Sequence, residues 1–183
     1  MKFLFAFIII SAFALPVSFS QELVTVMAVH DGDSYKVKRH DGSVVWVRVW
    51  GVDCPEVRSN IIIKDQDAGV EIAIIMRDML KGKQVLMDTF PGRDKLKRIV
   101  AKFQLDTIYV TQYLISNGYG WPVKYNMSTA IYKYLQSLQE EAKLLNLGLW
   151  SYEGRKLRPS TFRNKYSVYA NKESIAPTEN QGN

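Results

Sequence analysis

Two β-rich runs meet at an Asp-Gly pair, and that junction limits what the chain can build. "SYKVKR" (Ser34 to Arg39) alternates apolar and charged side chains, while "SVVWVRVW" (Ser43 to Trp50) is rich in β-branched and aromatic residues. Asp41-Gly42 between them is a strong hairpin signal, because these residues accept the left-handed backbone that a tight β-turn requires. The run "LVTVMAV" (Leu23 to Val29) lies ahead, so three strands in a meander open the domain.

The pattern then changes period. Ile72, Ile75, Met76, Met79 and Leu80 recur at helical spacing, and Gly82 stops the run, so the spacing predicts an amphipathic helix over Asp67 to Lys81. "QVLMDT" (Gln84 to Thr89) and "RIVAKFQL" (Arg98 to Leu105) read as two further strands around the basic loop "PGRDKLK". A short helix follows at "VTQYLISNG", and a longer one runs from about Ser128 to Asn146, with Gly148 closing it. Five short strands with a helix inserted after the third fit an α+β domain: a five-stranded OB-fold barrel with about three packed α-helices.

The ends have other characters. After Met1-Lys2 comes the apolar run "FLFAFIIISAFALPV", then small residues at Ser18 and Ser20, which is the pattern of a secretory signal peptide over residues 1–20 with cleavage before Gln21. The run is shorter than the roughly 20 residues a spanning helix needs, so no stable membrane span is expected after cleavage. The folded domain is expected over 21–151, and 152–183 reads as a polar, disordered tail. Cys54 is the single cysteine, which rules out an internal disulfide despite export. Neither a C-x-x-C pair nor an H-E-x-x-H spacing is present, so no zinc site is implied.

A formal net charge of +6 favours a polyanionic partner without choosing among nucleic acid, membrane and polysaccharide. Two acidic segments narrow the choice, "DGDS" (Asp31 to Ser34) and "VDCPE" (Val52 to Glu56). Taken singly, each reads as a turn or a strand end. The hairpin, however, sets Asp33 at the start of the second strand beside Asp53 at the end of the third. Two carboxylates brought that close repel unless a cation joins them, and oxygen ligands without histidine favour a hard ion, Ca²⁺ or Mg²⁺. Arg48 and Asp53 are five positions apart and would face opposite ways on a regular strand, but Gly51 allows a kink that re-aims the chain. Arg48 and Glu56 can then flank the ion, and Arg98 can approach from the neighbouring loop. A cation, two guanidiniums and a free carboxylate suit phosphodiester hydrolysis.

With these segments in this order and spacing, the chain resembles the staphylococcal nuclease (thermonuclease) family over roughly Val24 to Ser151. "DGDS", "VRVWGVDCPE", "DKLKR", "LISNGYGW" and "EEAKLLNLGLWS" carry the resemblance. It implies an OB barrel with three helices and Ca²⁺-dependent cleavage of DNA and RNA with little sequence preference. It also implies Asp33, Asp53 and the Cys54 carbonyl as Ca²⁺ ligands, Arg48 and Arg98 as phosphate-binding arginines, and Glu56 as general base or water-orienting group. Asp31 is then a turn residue or a support for the ligands. Lys95 and Lys97 in the basic loop are candidates for holding the polymer backbone, and Trp121 and Tyr125 for stacking a base. Packing between helices is the other reading of these two aromatics. The chain departs from the family pattern at Cys54, where threonine is usual, and at Leu96-Lys97-Arg98, which stands for tyrosine-glycine-arginine. The second departure removes a glycine on which the loop's geometry depends.

The resulting expectation is an exported nuclease, periplasmic or secreted, acting as a monomer with no obligate protein partner. The alternative is an OB-fold module that binds nucleic acid without cleaving it. A membrane- or polysaccharide-bound protein fits less well, because no basic amphipathic helix is seen.

Overall fold

The computed structural model describes residues 21–57, 66, 68–151 and 157–165. The predicted signal peptide, and the tail outside 157–165, lie outside the described residues.

The meander forms as the hairpin signal requires. Strands β1 (Gln21–Asp31), β2 (Ser34–Lys38) and β3 (Val44–Val49) pair antiparallel, with Tyr35 opposite Val47 and Ser34 opposite Arg48. A two-residue strand β4 (Val52–Asp53) follows, and then helix α1 (Gly69–Leu80). Strands β5 (Gln84–Arg93) and β6 (Ile99–Leu105) form the second hairpin. The order β3-β2-β1-β5-β6 closes through a parallel pairing of β3 with β6, Arg48 lying opposite Val100. Closure removes the exposed edges of a five-stranded sheet and makes the expected OB barrel.

β1 is long enough to serve both halves. Gln21 to Thr25 pair with β5, whereas Thr25 to Asp31 pair with β2. Between Val26 and Ala28 the register shifts, and the buried positions pass from Val24 and Val26 to Val29 and Asp31. This bulge bends the strand around the barrel, and it also turns Asp31 inward. Inside, Val24, Val26, Val37, Val47, Val49, Met87 and Ala101 pack around Tyr35 and Phe103, whose rings meet edge to face at 5.5 Å. α1 closes one end of the barrel with Ile72, Met76 and Leu80.

The remaining elements flank the barrel. A short strand β7 (Ile108–Tyr109) leads into α2 (Val110–Ser116), and β8 (Trp121–Pro122) pairs antiparallel with β4. Helix α3 (Thr129–Leu144) starts at Ser128, whose Oγ accepts from the Ile131 amide at 3.2 Å. A 3₁₀ turn at Gly148–Ser151 then buries Leu149 and Trp150. The helices fall where the apolar spacing predicts, within two residues at each end.

One expectation needs correcting. Residues 159–165, assigned from composition to a disordered tail, form a fourth helix, α4. Pro159 at its first position suits a helix start, and Pro159 and Phe162 are buried. Polar composition concealed two apolar anchors, which suffice to hold one short helix against a neighbour. Among the described residues, no helix is long and apolar enough to cross a membrane.

Phe103 is 1% exposed at the centre of this core. Phe103→Ala should lower stability by about 3–5 kcal/mol, seen as a lower urea midpoint at unchanged slope.

Candidate active site

The site grows from the register of β2 with β3. Ser34 opposite Arg48 sets Asp33 beside the far end of β3, and the Val49 amide donates to the Asp33 carbonyl at 2.8 Å. At Gly51 the chain takes φ +80°, a conformation that a side chain resists. That reversal brings Asp53 back toward Arg48, as the kink predicted from sequence requires. Pairing of β4 with β8 then holds Asp53 in place.

Arg48 lies between the two carboxylates. It donates from Nη1 to Asp33 Oδ1 at 2.9 Å and from Nη2 to Asp53 Oδ1 at 2.5 Å. The second Asp33 oxygen accepts the Cys54 amide at 2.7 Å, and Ser34 Oγ donates to the first at 3.2 Å. Arg98 joins through the same serine, donating from Nη1 to Ser34 Oγ at 2.6 Å. Its other edge is fastened by Asp94, whose Oδ2 accepts from Nε at 2.8 Å while Oδ1 accepts the Arg98 amide at 2.8 Å. Sequence reasoning missed Asp94, although its position four residues before Arg98 is an ordinary pairing distance.

The loop before Arg98 makes its turn without a glycine. Lys97 itself takes a left-handed φ of +62°, held by its amide on the Asp94 carbonyl at 2.9 Å and by Arg93 Nη1 on its own carbonyl at 2.8 Å. Such a backbone costs a non-glycine residue roughly 1–2 kcal/mol, which these bonds help to offset. Lys95 and Lys97 are exposed on this loop.

Glu56 enters beyond Pro55, at the mouth of the site. Gln66 ties its backbone down, with the Gln66 amide on the Glu56 carbonyl at 2.9 Å and the Glu56 amide on Gln66 Oε1 at 3.2 Å. Gln66 Nε2 also donates to the Leu157 carbonyl, joining this loop to the chain that leads into α4. From α4 comes Arg163, a residue that sequence reasoning missed. It donates from Nη1 and Nη2 to the two oxygens of Asp53, each at 3.1 Å, and from Nη1 to Glu56 Oε1.

The two aromatic candidates separate. Trp121 is 4% exposed and packs edge to face on Trp150 at 5.5 Å, so the packing reading describes it. Tyr125 is 42% exposed, and its carbonyl accepts from Trp50 Nε1 at 2.7 Å, leaving its ring open to the surface.

Charge is concentrated here with little water. Asp31, Asp33 and Asp53 are 5%, 2% and 6% exposed, so their mutual repulsion is poorly screened. Burial and then the Asp33 charge push the Asp31 carboxyl up to about 8. Burial also raises Asp33, against the pull of Arg48. For Arg48, burial opposes its charge, but Asp33 and Asp53 more than compensate and keep it protonated. The Cys54 thiol is 1% exposed and shifted far up by burial, which leaves it an unreactive packing group.

This donor set fits a hard cation. It is oxygen-rich, buried and free of imidazole. Among the described residues no three His, Cys, Asp or Glu side chains are placed to hold a metal ion between them. A cation bound by Asp33 and Asp53 would therefore need backbone carbonyls and water to complete its shell.

A closed OB barrel with paired carboxylates and arginines at its rim is the architecture of a nuclease-type family. Residues 46–152 match the family described as staphylococcal nuclease homologue, and the chain belongs to that family. No curated protein matches the chain.

Gly32 links the core to this site. A Cβ there would lie 2.7 Å from Cys54 Cβ and 2.9 Å from Ile72 Cγ2. Gly32→Ala should cost about 1–3 kcal/mol through overpacking, measured as a lower melting temperature.

Proposed function

We propose that the protein is an exported, Ca²⁺-dependent nuclease that hydrolyses phosphodiester bonds of DNA and RNA with little sequence preference. The observation that carries this reading is the Arg48 guanidinium shared by Asp33 and Asp53, with Arg98 one serine away. A polynucleotide phosphate entering this rim would meet two fixed, permanently charged forks.

In this reading Asp33, Asp53 and the Cys54 carbonyl would hold Ca²⁺, and the ion when bound would supply Lewis-acid polarisation of a phosphoryl oxygen. Arg48 and Arg98 neutralise charge that develops on the equatorial oxygens. Their guanidiniums are held by Asp33, Asp53, Asp94 and Ser34, so little reorganisation is needed at the moment of reaction. Glu56 accepts a proton from the attacking water or orients it. As the water oxygen bonds to phosphorus, the bond to the leaving sugar oxygen breaks, and that oxygen takes up a proton. Contacts from Lys95 and Lys97 to other phosphates would add affinity without sequence choice. Export to the periplasm or medium, and action as a monomer, complete the proposal.

A binding module without catalysis is the second reading. Arg163 favours it, since its pairing with both Asp53 and Glu56 satisfies two groups that catalysis needs free.

Hydrolysis of single-stranded DNA by the chain from Gln21 onward separates the two. Cleavage should require Ca²⁺, stop with chelator and resume on Ca²⁺ addition; binding without cleavage under Ca²⁺, Mg²⁺ or Mn²⁺ would sink the nuclease. Arg48→Ala should lower kcat by about 10²–10³-fold, in line with the loss of one transition-state donor. Equal turnover in a folded Arg48→Ala protein would refute the mechanism.

A further inference from the structure

The family match ends at residue 152, yet the chain beyond it returns to the site. Arg158, Ser160 and Arg163 line a cleft of about 260 Å³ together with Arg48, Asp53 and Trp121. Three guanidiniums therefore border one opening beside the proposed cleavage centre. Asp53 balances Arg48 and Arg163 from within the cleft, so Arg158 is the guanidinium there whose charge no carboxylate of the described residues meets. Arg158 is exposed, and among the described residues it has no ion-pair partner. Arg163 uses three of its five N–H donors on Asp53 and Glu56, which leaves two uncommitted.

We propose that this cleft is a second phosphate-binding subsite for the polynucleotide, with Arg158 and Arg163 as its donors. The inference rests on reading the rim as a nuclease centre and adds to it a specific contact outside the matched region. Arg48 borders both places, so a phosphate in the cleft and one held at Arg98 share a guanidinium. They are then neighbours along one strand. The forked donors suit tetrahedral phosphate oxygens. Among the described residues lining the cleft the one aromatic side chain, Trp121, is packed into the core rather than offered for stacking, so the subsite's affinity comes from phosphate contacts, which carry no sequence preference. α4 thereby acquires a purpose that its two apolar anchors alone do not explain.

Calorimetric titration of the full mature chain in chelator tests this apart from cleavage. The probes are oligothymidylates with one, two or three phosphodiesters, and inorganic phosphate. The unsubstituted protein should gain about tenfold in affinity between one and two phosphodiesters, the size expected of one charge-assisted contact. Arg158→Ala should remove most of that gain and lower the slope of log K against log salt by about 0.7, the value for one lost single-strand phosphate. Arg158 is exposed, so this variant should fold; Arg163→Gln, which also breaks ion pairs, serves as a second measurement.

An unchanged gain and salt slope in Arg158→Ala would overturn the subsite. So would inorganic phosphate binding as tightly as the two-phosphodiester strand, because the cleft would then be a free-anion site. If the chain shows the expected gain and loss but never cleaves, the subsite stands and the nuclease reading falls. If it cleaves while Arg158→Ala binds like the parent, only the subsite falls.

Discussion

Arg48 between Asp33 and Asp53 is the contact on which the rest of this rim depends. Both carboxylates are nearly out of water, so each needs a cation or donors to remain charged at acceptable cost. Every other site residue is arranged around their oxygens. The Cys54 amide and Ser34 hydroxyl complete Asp33, and Ser34 passes the connection on to Arg98. Arg163 completes Asp53 and reaches Glu56. Removing Arg48 would take from Asp33 its guanidinium partner and leave two buried carboxylates facing one another, a cost that falls on folding itself.

The barrel makes this contact possible by rigid means. Asp33 is the last residue of the β1–β2 turn, Arg48 lies on β3 and Arg98 just precedes β6. The pairings Ser34 with Arg48 and Arg48 with Val100 set these residues by backbone hydrogen bonds rather than by flexible loops. The bulge in β1 that bends the strand also buries Asp31, where burial and the Asp33 charge push its carboxyl up to about 8. Closing the barrel and gathering carboxyl groups at its rim are two results of the same strand geometry. Such a rim has carboxylates inside and arginines around them.

Local pattern was a good guide wherever one segment decides its own structure. The Asp41-Gly42 hairpin, the apolar period of α1 and α3, and the kink at Gly51 each follow from neighbours in the chain. Lys97 was harder, because the missing glycine suggested a changed loop. Instead Asp94 and Arg93 hold a lysine in the left-handed conformation. For Trp121, base stacking and packing were equally open in the sequence, and only its burial against Trp150 separates them. α4 was hidden because a seven-residue helix carries too few periodic positions to register, and its neighbours are polar.

The sequence by itself determined the barrel class, the adjacency of Asp33 and Asp53, and the grouping of Arg48 with them. These follow from strand period, one hairpin and one glycine, all short-range features that act through backbone geometry. Only the tertiary structure decided that Ser34 joins Arg98 to the pair, that Asp94 fastens it, and that Arg163 crosses from α4 to Asp53 and Glu56. The Arg163 contacts span more than a hundred positions of chain, and no local pattern records them. They exist because burial of Pro159 and Phe162 docks α4 beside the site, and side-chain packing at that distance is a property of the folded surface alone.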